Sequence, residues 1–358
     1  MPRRLTVRPV PARTYLAAGA APWLTALALL CPRPGHALDA AAIERCKAMA
    51  DPAARLACYD AAAGRPAPAE DTSPQARALL MESPRPPGAE PSLIGDRWGL
   101  GVSPADSRFD LRAHRPSYLL LGRHSDAPNR LPTSPSKPPL AEPLDIQSIE
   151  AKFQFSFKFK LADFSRELGL PLGIWAAYTQ QSQWQVYNAG VSRPFRETNY
   201  EPELMVALHP DREWLGWRWR LAALGINHQS NGRSEPLSRS WNRVVAQLGV
   251  ERGDLALILR PWVRLREDGA TDDNPDITRY LGHGDLTLVW APGTHQLSLS
   301  ARLNPNSGHG AVQAHWTFPI ARRVRGIVQV FSGYGESLID YNVRQTTYGL
   351  GISLADHL

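Results

Sequence analysis

Seven apolar residues, Ile149, Ala151, Phe153, Phe155, Phe157, Phe159 and Leu161, alternate one for one with Glu150, Lys152, Gln154, Ser156, Lys158 and Lys160. A helix would scatter the phenylalanines around its girth; a strand sets all of them on one face. The same period of two recurs near residues 172–182, 200–209, 214–230, 240–250, 254–265, 277–290, 295–303, 310–320, 324–334 and 343–354. Trp217 and Trp219 blur the phase where the 214–230 stretch begins. These stretches make eleven strands, and single-chain bacterial barrels have an even number. The short apolar run Tyr118–His124 supplies the twelfth.

The connections between these stretches run long and short by turns. A barrel in an outer membrane has long loops on its outer rim and tight turns on its periplasmic rim. A soluble β-sandwich has no reason to sort its loops that way. Because such strands are apolar only at every second residue, a charged fraction of 21% and a mean hydropathy of −0.31 are compatible with a membrane barrel. What the composition excludes is a polytopic helical membrane protein, since no apolar run of about 18 residues occurs beyond the N-terminus. The expected fold is all-β: an antiparallel transmembrane β-barrel of twelve strands behind an exported N-terminal extension.

That extension has its own logic. Of the 32 prolines, 22 precede residue 147, which makes the first stretch a poor candidate for a packed core. Arg3, Arg4, Arg8 and Arg13 lead into an uncharged run from Thr14 to Cys31, and Gly35-His36-Ala37 offers small residues to a signal peptidase. Residues 1–37 are therefore expected to be a signal peptide. Residues 38–64 hold two short helical patterns broken at Asp51-Pro52, with Cys46 and Cys58 expected to pair in an exported chain. Residues 65–96 read as a Pro/Ala-rich linker, leaving 97–358 for the barrel. The net charge of +6 includes no dense Lys/Arg tract, so it marks solvated surface rather than a nucleic-acid groove.

The chemistry concentrates between Leu221 and Val250. Ala222, Leu224, Ile226, His228 and Ser230 share one strand face, opposite the smaller or more polar Ala223, Gly225, Asn227 and Gln229. Asn242 lies in phase with Val244, Ala246, Leu248 and Val250. An antiparallel pair would bring Asn242 beside His228 on the lipid-facing wall, where polar groups without partners are costly. Such a trio suits acyl transfer: serine needs a neighbouring base, and an amide oxygen can hold the imidazole tautomer. The bland alternative is a pair of rim residues touching lipid head groups. No G-x-S-x-G elbow is present, which excludes an α/β-hydrolase.

The run Asn227-His228-Gln229-Ser230-Asn231-Gly232-Arg233-Ser234, followed by Ser238-Arg239-Ser240-Trp241-Asn242-Arg243, closely resembles the outer membrane phospholipase A family. So do Tyr178-Thr179-Gln180, the stretch from Pro194 to Pro202, Thr271-Asp272-Asp273-Asn274-Pro275-Asp276 and the stretch from Gly333 to Tyr341. The resemblance covers roughly Tyr118 to Leu358. It implies a calcium-dependent hydrolase of acyl esters in phospholipids and lysophospholipids, working as a homodimer in the outer membrane of a Gram-negative bacterium. The site would lie on the extracellular-leaflet side. Ser230 would be the nucleophile, His228 the base, Asn242 its orienter and the Gly232 N–H an oxyanion donor. Calcium would be held by the Arg233 carbonyl, the Ser238 hydroxyl and Ser192 of the partner subunit, and Gln180 would lie in the subunit interface. Glu235 stands where the family usually has Asp; with Asp273 it would form a second calcium site. The rival reading is a porin or structural barrel without turnover.

Overall fold

Most of the alternating stretches form single strands hydrogen-bonded to their neighbours in antiparallel fashion. The computed structural model describes residues 40–49, 51–62, 92–99, 109–269, 271–321 and 324–358. The expected signal peptide and most of the expected linker lie outside them. The chain divides into two units, residues 1–71 and 72–358. In the first, helices α1 (Ala40–Lys47) and α2 (Pro52–Ala62) are joined by a disulfide between Cys46 and Cys58. Pro52 takes the first helical position, where a missing N–H costs nothing, and the Asp51 carboxylate accepts from the Ala54 N–H at 3.1 Å.

The second unit holds strands β1 (Arg112–Ala113), β2 (Ser117–Ser125), β3 (Ile149–Asp163), β4 (Leu172–Trp184), β5 (Phe195–Leu208), β6 (Arg212–Trp214) and β7 (Trp217–Ser230). It continues with β8 (Ser240–Arg252), β9 (Leu255–Arg264), β10 (Gly284–Trp290), β11 (Gln296–Asn304), β12 (His309–Ala321), β13 (Val324–Tyr334) and β14 (Arg344–Ala355). Twelve of them close a barrel. Neighbours in sequence pair in turn, β14 returns to β2, and β3 pairs with both β2 and β4. The short β1 and β6 only flank β3 and β7. One rim carries segments 126–148, 185–194, 231–239, 265–283, 305–308 and 335–343; the other carries 164–171, 209–216, 253–254, 291–295 and 322–323. The long-loop rim thus has one tight turn, 305–308.

Two expected strands need correction. The 214–230 stretch is a hairpin, β6 and β7, turned at Leu215 and Gly216, which both have positive φ. A register shift between Trp219 and Leu221 moves the strand phase, which is why the tryptophans fit neither parity. The 277–290 stretch begins as a helical turn, Ile277–Leu281, and β10 starts only at Gly284. Ile277 and Leu281 are four apart, so one helical turn buries both against Trp241, Trp262, Leu338 and Tyr341. Gly282, at φ +70°, ends the turn where a Cβ would meet the Leu303 carbonyl at 2.9 Å.

The barrel is apolar outside and polar within. On β3, Glu150, Lys152, Ser156 and Lys158 are buried while Phe155 is exposed; Leu224, Ile226, Val263 and Leu350 are likewise exposed outward. An apolar girdle of this extent belongs in hydrocarbon. Among the described residues, no helix is long and apolar enough to cross a membrane, so the crossing falls to the strands. Inside, Glu150 accepts from Arg123 at 2.7 Å and from Arg196 at 3.0 Å, and Arg196 reaches Asp340 at 3.0 Å. Arg123 and Lys152 both meet Glu336. Further down, Arg115, Arg243 and Arg260 pair with Glu201 and Glu203.

The short-loop mouth is stoppered. A short helix, α3 (Leu93–Trp98), begins inside the stretch expected as linker and inserts Ile94 and Trp98 among Trp175, Leu221, Ala256 and Val289. Ser92 caps it, accepting from the Gly95 N–H at 2.8 Å and donating to Glu251 at 2.6 Å. The Lys158 ammonium stands 3.4 Å from the centre of the Trp98 ring, a cation–π contact in a desolvated setting.

Candidate active site

The site grows from the pairing of β7 with β8. Asn227 points inward and accepts from the Arg243 Nε at 3.1 Å, so the next residue on β7 and the preceding one on β8 face outward. Those residues are His228 and Asn242, directly opposite in register, with Ser230 opposite Ser240. His228 Nδ1 lies 2.8 Å from Asn242 Oδ1. An amide oxygen only accepts, so Nδ1 carries the ring proton and Nε2 keeps its lone pair. Ser230 follows two residues along the same face, and among the described residues its hydroxyl has no hydrogen-bond partner. Behind this outer face Trp241 is fully buried, edge-on to Trp262, with the Arg243 guanidinium 4.0 Å from its ring centre. The wall beneath the trio is rigid.

The loop from β7 to β8 is shaped by Asn231. Buried, it accepts from the Arg233 and Arg239 N–H groups at 3.3 and 2.9 Å and donates to the Leu237 carbonyl at 2.8 Å. The bend puts Gly232 at φ +61°, with the Tyr200 ring 3.1 Å from where a Cβ would stand. Glycine alone suits both constraints. Neither the Gly232 N–H nor the Arg233 carbonyl has a protein partner among the described residues, so one remains a free donor and the other a free acceptor. The Ser238 hydroxyl spends its proton on Asp273 Oδ2 at 2.6 Å and presents its lone pairs. Two uncharged oxygens, Arg233 O and Ser238 Oγ, suit a hard cation such as calcium. Ser192 is exposed on the same long-loop rim, and Gln180 lies on the outward face of β4, accepting from the Tyr178 hydroxyl at 3.2 Å.

The expected second calcium pair is arranged differently. Lys137, from the long β2–β3 connection, sits between the two carboxylates, 2.6 Å from Glu235 and 2.8 Å from Asp273. Its ammonium fills the place where a cation would bind, so this pair does not fit calcium. Burial pushes the Asp273 carboxyl up, but hydrogen bonds from Lys137 and Ser238 outweigh it and hold it below the usual carboxylate range. Hydrogen bonds to Asp273 and Glu235 raise Lys137 in turn. Asp273 thus contributes stability at neutral pH that is lost as acid protonates it; Lys137 contributes stability that is lost as alkali removes its proton. The clamp is complete between those limits. Lys137→Met should therefore speed proteolysis of the 126–148 loop at neutral pH, with the difference from wild type vanishing in acid. Equal cleavage rates at neutral pH would contradict the clamp.

Sequence reasoning passed over three residues. Asn231 has a visible signal, a lone amide between the catalytic-type serine and a glycine. Lys137 lies in a Pro-rich stretch with no pattern tying it to the site. Glu267 is the third: Asn242 Nδ2 donates to its Oε1 at 3.1 Å, yet Arg266-Glu267-Asp268 reads as solvated loop.

Residues 94–354 match the family pattern of phospholipase A1. A putative phospholipase A1 of Neisseria meningitidis serogroup B is 38% identical over 350 residues, covering 87% of this chain and 90% of that protein. The phospholipase A1 of Escherichia coli K12 is 41% identical over 251 residues, 70% of this chain and 83% of that one. Among solved structures, the calcium-bound dimer of the Salmonella typhi outer membrane phospholipase superposes with a TM-score of 0.64 at 38% identity, covering 70% of this chain and 94% of that one. With a match running from the helix in the barrel mouth to the last strand, the chain belongs to the phospholipase A1 family of outer membrane barrels.

Proposed function

We propose that this protein is a calcium-dependent phospholipase, active as a dimer, that cleaves acyl esters of phospholipids and lysophospholipids on its lipid-facing wall. The observation that carries the reading is the 2.8 Å contact of His228 Nδ1 with Asn242 Oδ1, which leaves Nε2 free to serve as a base toward Ser230, two residues along the same strand face. Nε2 takes the Ser230 proton as Oγ bonds to the ester carbon, and the Gly232 N–H donates to the oxyanion. Collapse breaks the ester C–O bond, and His228 returns the proton to the departing lysophospholipid oxygen. Water, deprotonated by the same nitrogen, then releases the fatty acid and restores Ser230. Calcium, when bound, supplies positive charge near the oxyanion. Arg233 O and Ser238 Oγ would hold it, with Ser192 of the partner subunit and water completing the roughly six to eight oxygens it prefers. Gln180, a polar side chain on the outward face, gains a partner at a subunit interface.

Ser230 ends β7 where the chain enters the long-loop rim, which supports placing the site at the extracellular leaflet. The porin alternative is disfavoured by the ion pairs that crowd the lumen and by the stopper at its mouth. The test is acyl release from mixed detergent–phospholipid micelles with calcium or chelator, alongside labelling by a fluorophosphonate. Release that chelator abolishes, with the label on the peptide containing Ser230, is expected. Chelator-insensitive release, or a label elsewhere, overturns the reading. Sedimentation of Ser192→Ala should show weakened calcium-linked dimerisation, since coupling between metal and subunit is reciprocal.

A further inference from the structure

We infer that Glu267 is a fourth member of the hydrolytic relay, a positioning residue that fixes which way the Asn242 amide faces and, through it, which nitrogen of His228 is the base. The inference rests on the proposed Ser230–His228–Asn242 reading. Its starting point is an ambiguity in any asparagine used this way. The side-chain amide has an acceptor and a donor of nearly equal shape, and turned over it would present NH2 to His228. His228 would then have to accept at Nδ1 and carry its proton on Nε2, where it could not deprotonate Ser230.

Glu267 removes the ambiguity. A carboxylate has no proton to give, so only the amide NH2 can face it. The 3.1 Å bond from Asn242 Nδ2 to Glu267 Oε1 therefore turns Asn242 Oδ1 toward His228, which must answer with Nδ1–H, as the 2.8 Å contact requires. The chain delivers Glu267 by extending the ladder beyond its last paired residues. Arg243 pairs with Arg264, and the Leu265 N–H then donates to the Asn242 carbonyl at 2.8 Å, carrying the next turn of chain over the amide. Glu267 is half-buried there and has no other hydrogen-bond partner among the described residues. It also supplies the negative charge that asparagine, in place of the usual aspartate, leaves out.

The decisive measurement is the tautomer itself. In protein carrying 15N-labelled histidine, in detergent micelles, the ring nitrogens of His228 (identified by their loss in His228→Ala) should report Nδ1–H in wild type. A mixture of tautomers is expected in Glu267→Ala. Glu267→Gln keeps an acceptor but also offers a donor, so it should be intermediate. In parallel, kcat should fall about tenfold in Glu267→Ala with KM unchanged, and Asn242→Ala/Glu267→Ala should be no worse than Asn242→Ala alone, because the second residue acts only through the first. An unchanged tautomer with unchanged kcat in Glu267→Ala overturns the inference. Failure of the parent reading is seen separately, as Ser230→Ala retaining full activity, whatever the tautomer shows.

Discussion

Ser230→Ala and His228→Ala are each expected to lower calcium-dependent acyl release by about 10⁴-fold or more, and the double variant by no more than either alone. In the proposed mechanism nucleophile and base act as one unit, so removing either leaves only binding and oxyanion stabilisation. Asn242→Ala should be milder by about one to two orders of magnitude, because in that mechanism it orients a proton carrier and carries no proton itself. Rates of fatty-acid release in micelles settle the order. If Asn242→Ala were as inactive as His228→Ala, the division of roles would be wrong.

The largest stability effect is expected at Glu150. Its two oxygens accept from Arg123, twice from Arg196 and from Gln185, all at 2.7–3.0 Å, inside a wall that excludes water. Glu150→Ala leaves two buried guanidiniums facing each other without their shared counter-charge, which costs about 3–5 kcal/mol. The urea midpoint of the folded barrel in detergent should drop accordingly, while a surface control such as Glu142→Ala should not move it. A Glu150→Ala midpoint equal to wild type would mean that Asp340 and Glu336 absorb both cations unaided.

The fold was legible wherever the two faces of a strand differ sharply. β3 runs from Ile149 as the phenylalanine alternation indicates and ends at Asp163, two residues past Leu161; its register is fixed because lysines and phenylalanines cannot exchange faces. Legibility failed where one residue set satisfies two periods. Ile277 and Leu281 are in phase for a strand and for a helical turn alike, and only their burial against Trp241 and Trp262 decides. It failed again at Leu93–Trp98, six residues too short to show a period and fixed by Glu251, far off in sequence. The site divides the same way. Outward placement of His228, Ser230 and Asn242 follows from parity, but Glu267 and Lys137 reach the site along irregular connections that no periodicity describes.

The outward placement of the trio has a kinetic corollary. An enzyme with its site in a cleft meets substrate at the concentration the surrounding water holds. Here the wall bearing His228 and Ser230 faces the lipid phase, as the exposure of the apolar Leu224 and Ile226 beside them indicates. On the proposed reading, a hydrolase with its site on this wall draws substrate from the leaflet around it rather than from the water, so its rate follows the phospholipid content of that leaflet. A bulk KM measured in micelles then describes dilution in a surface rather than affinity.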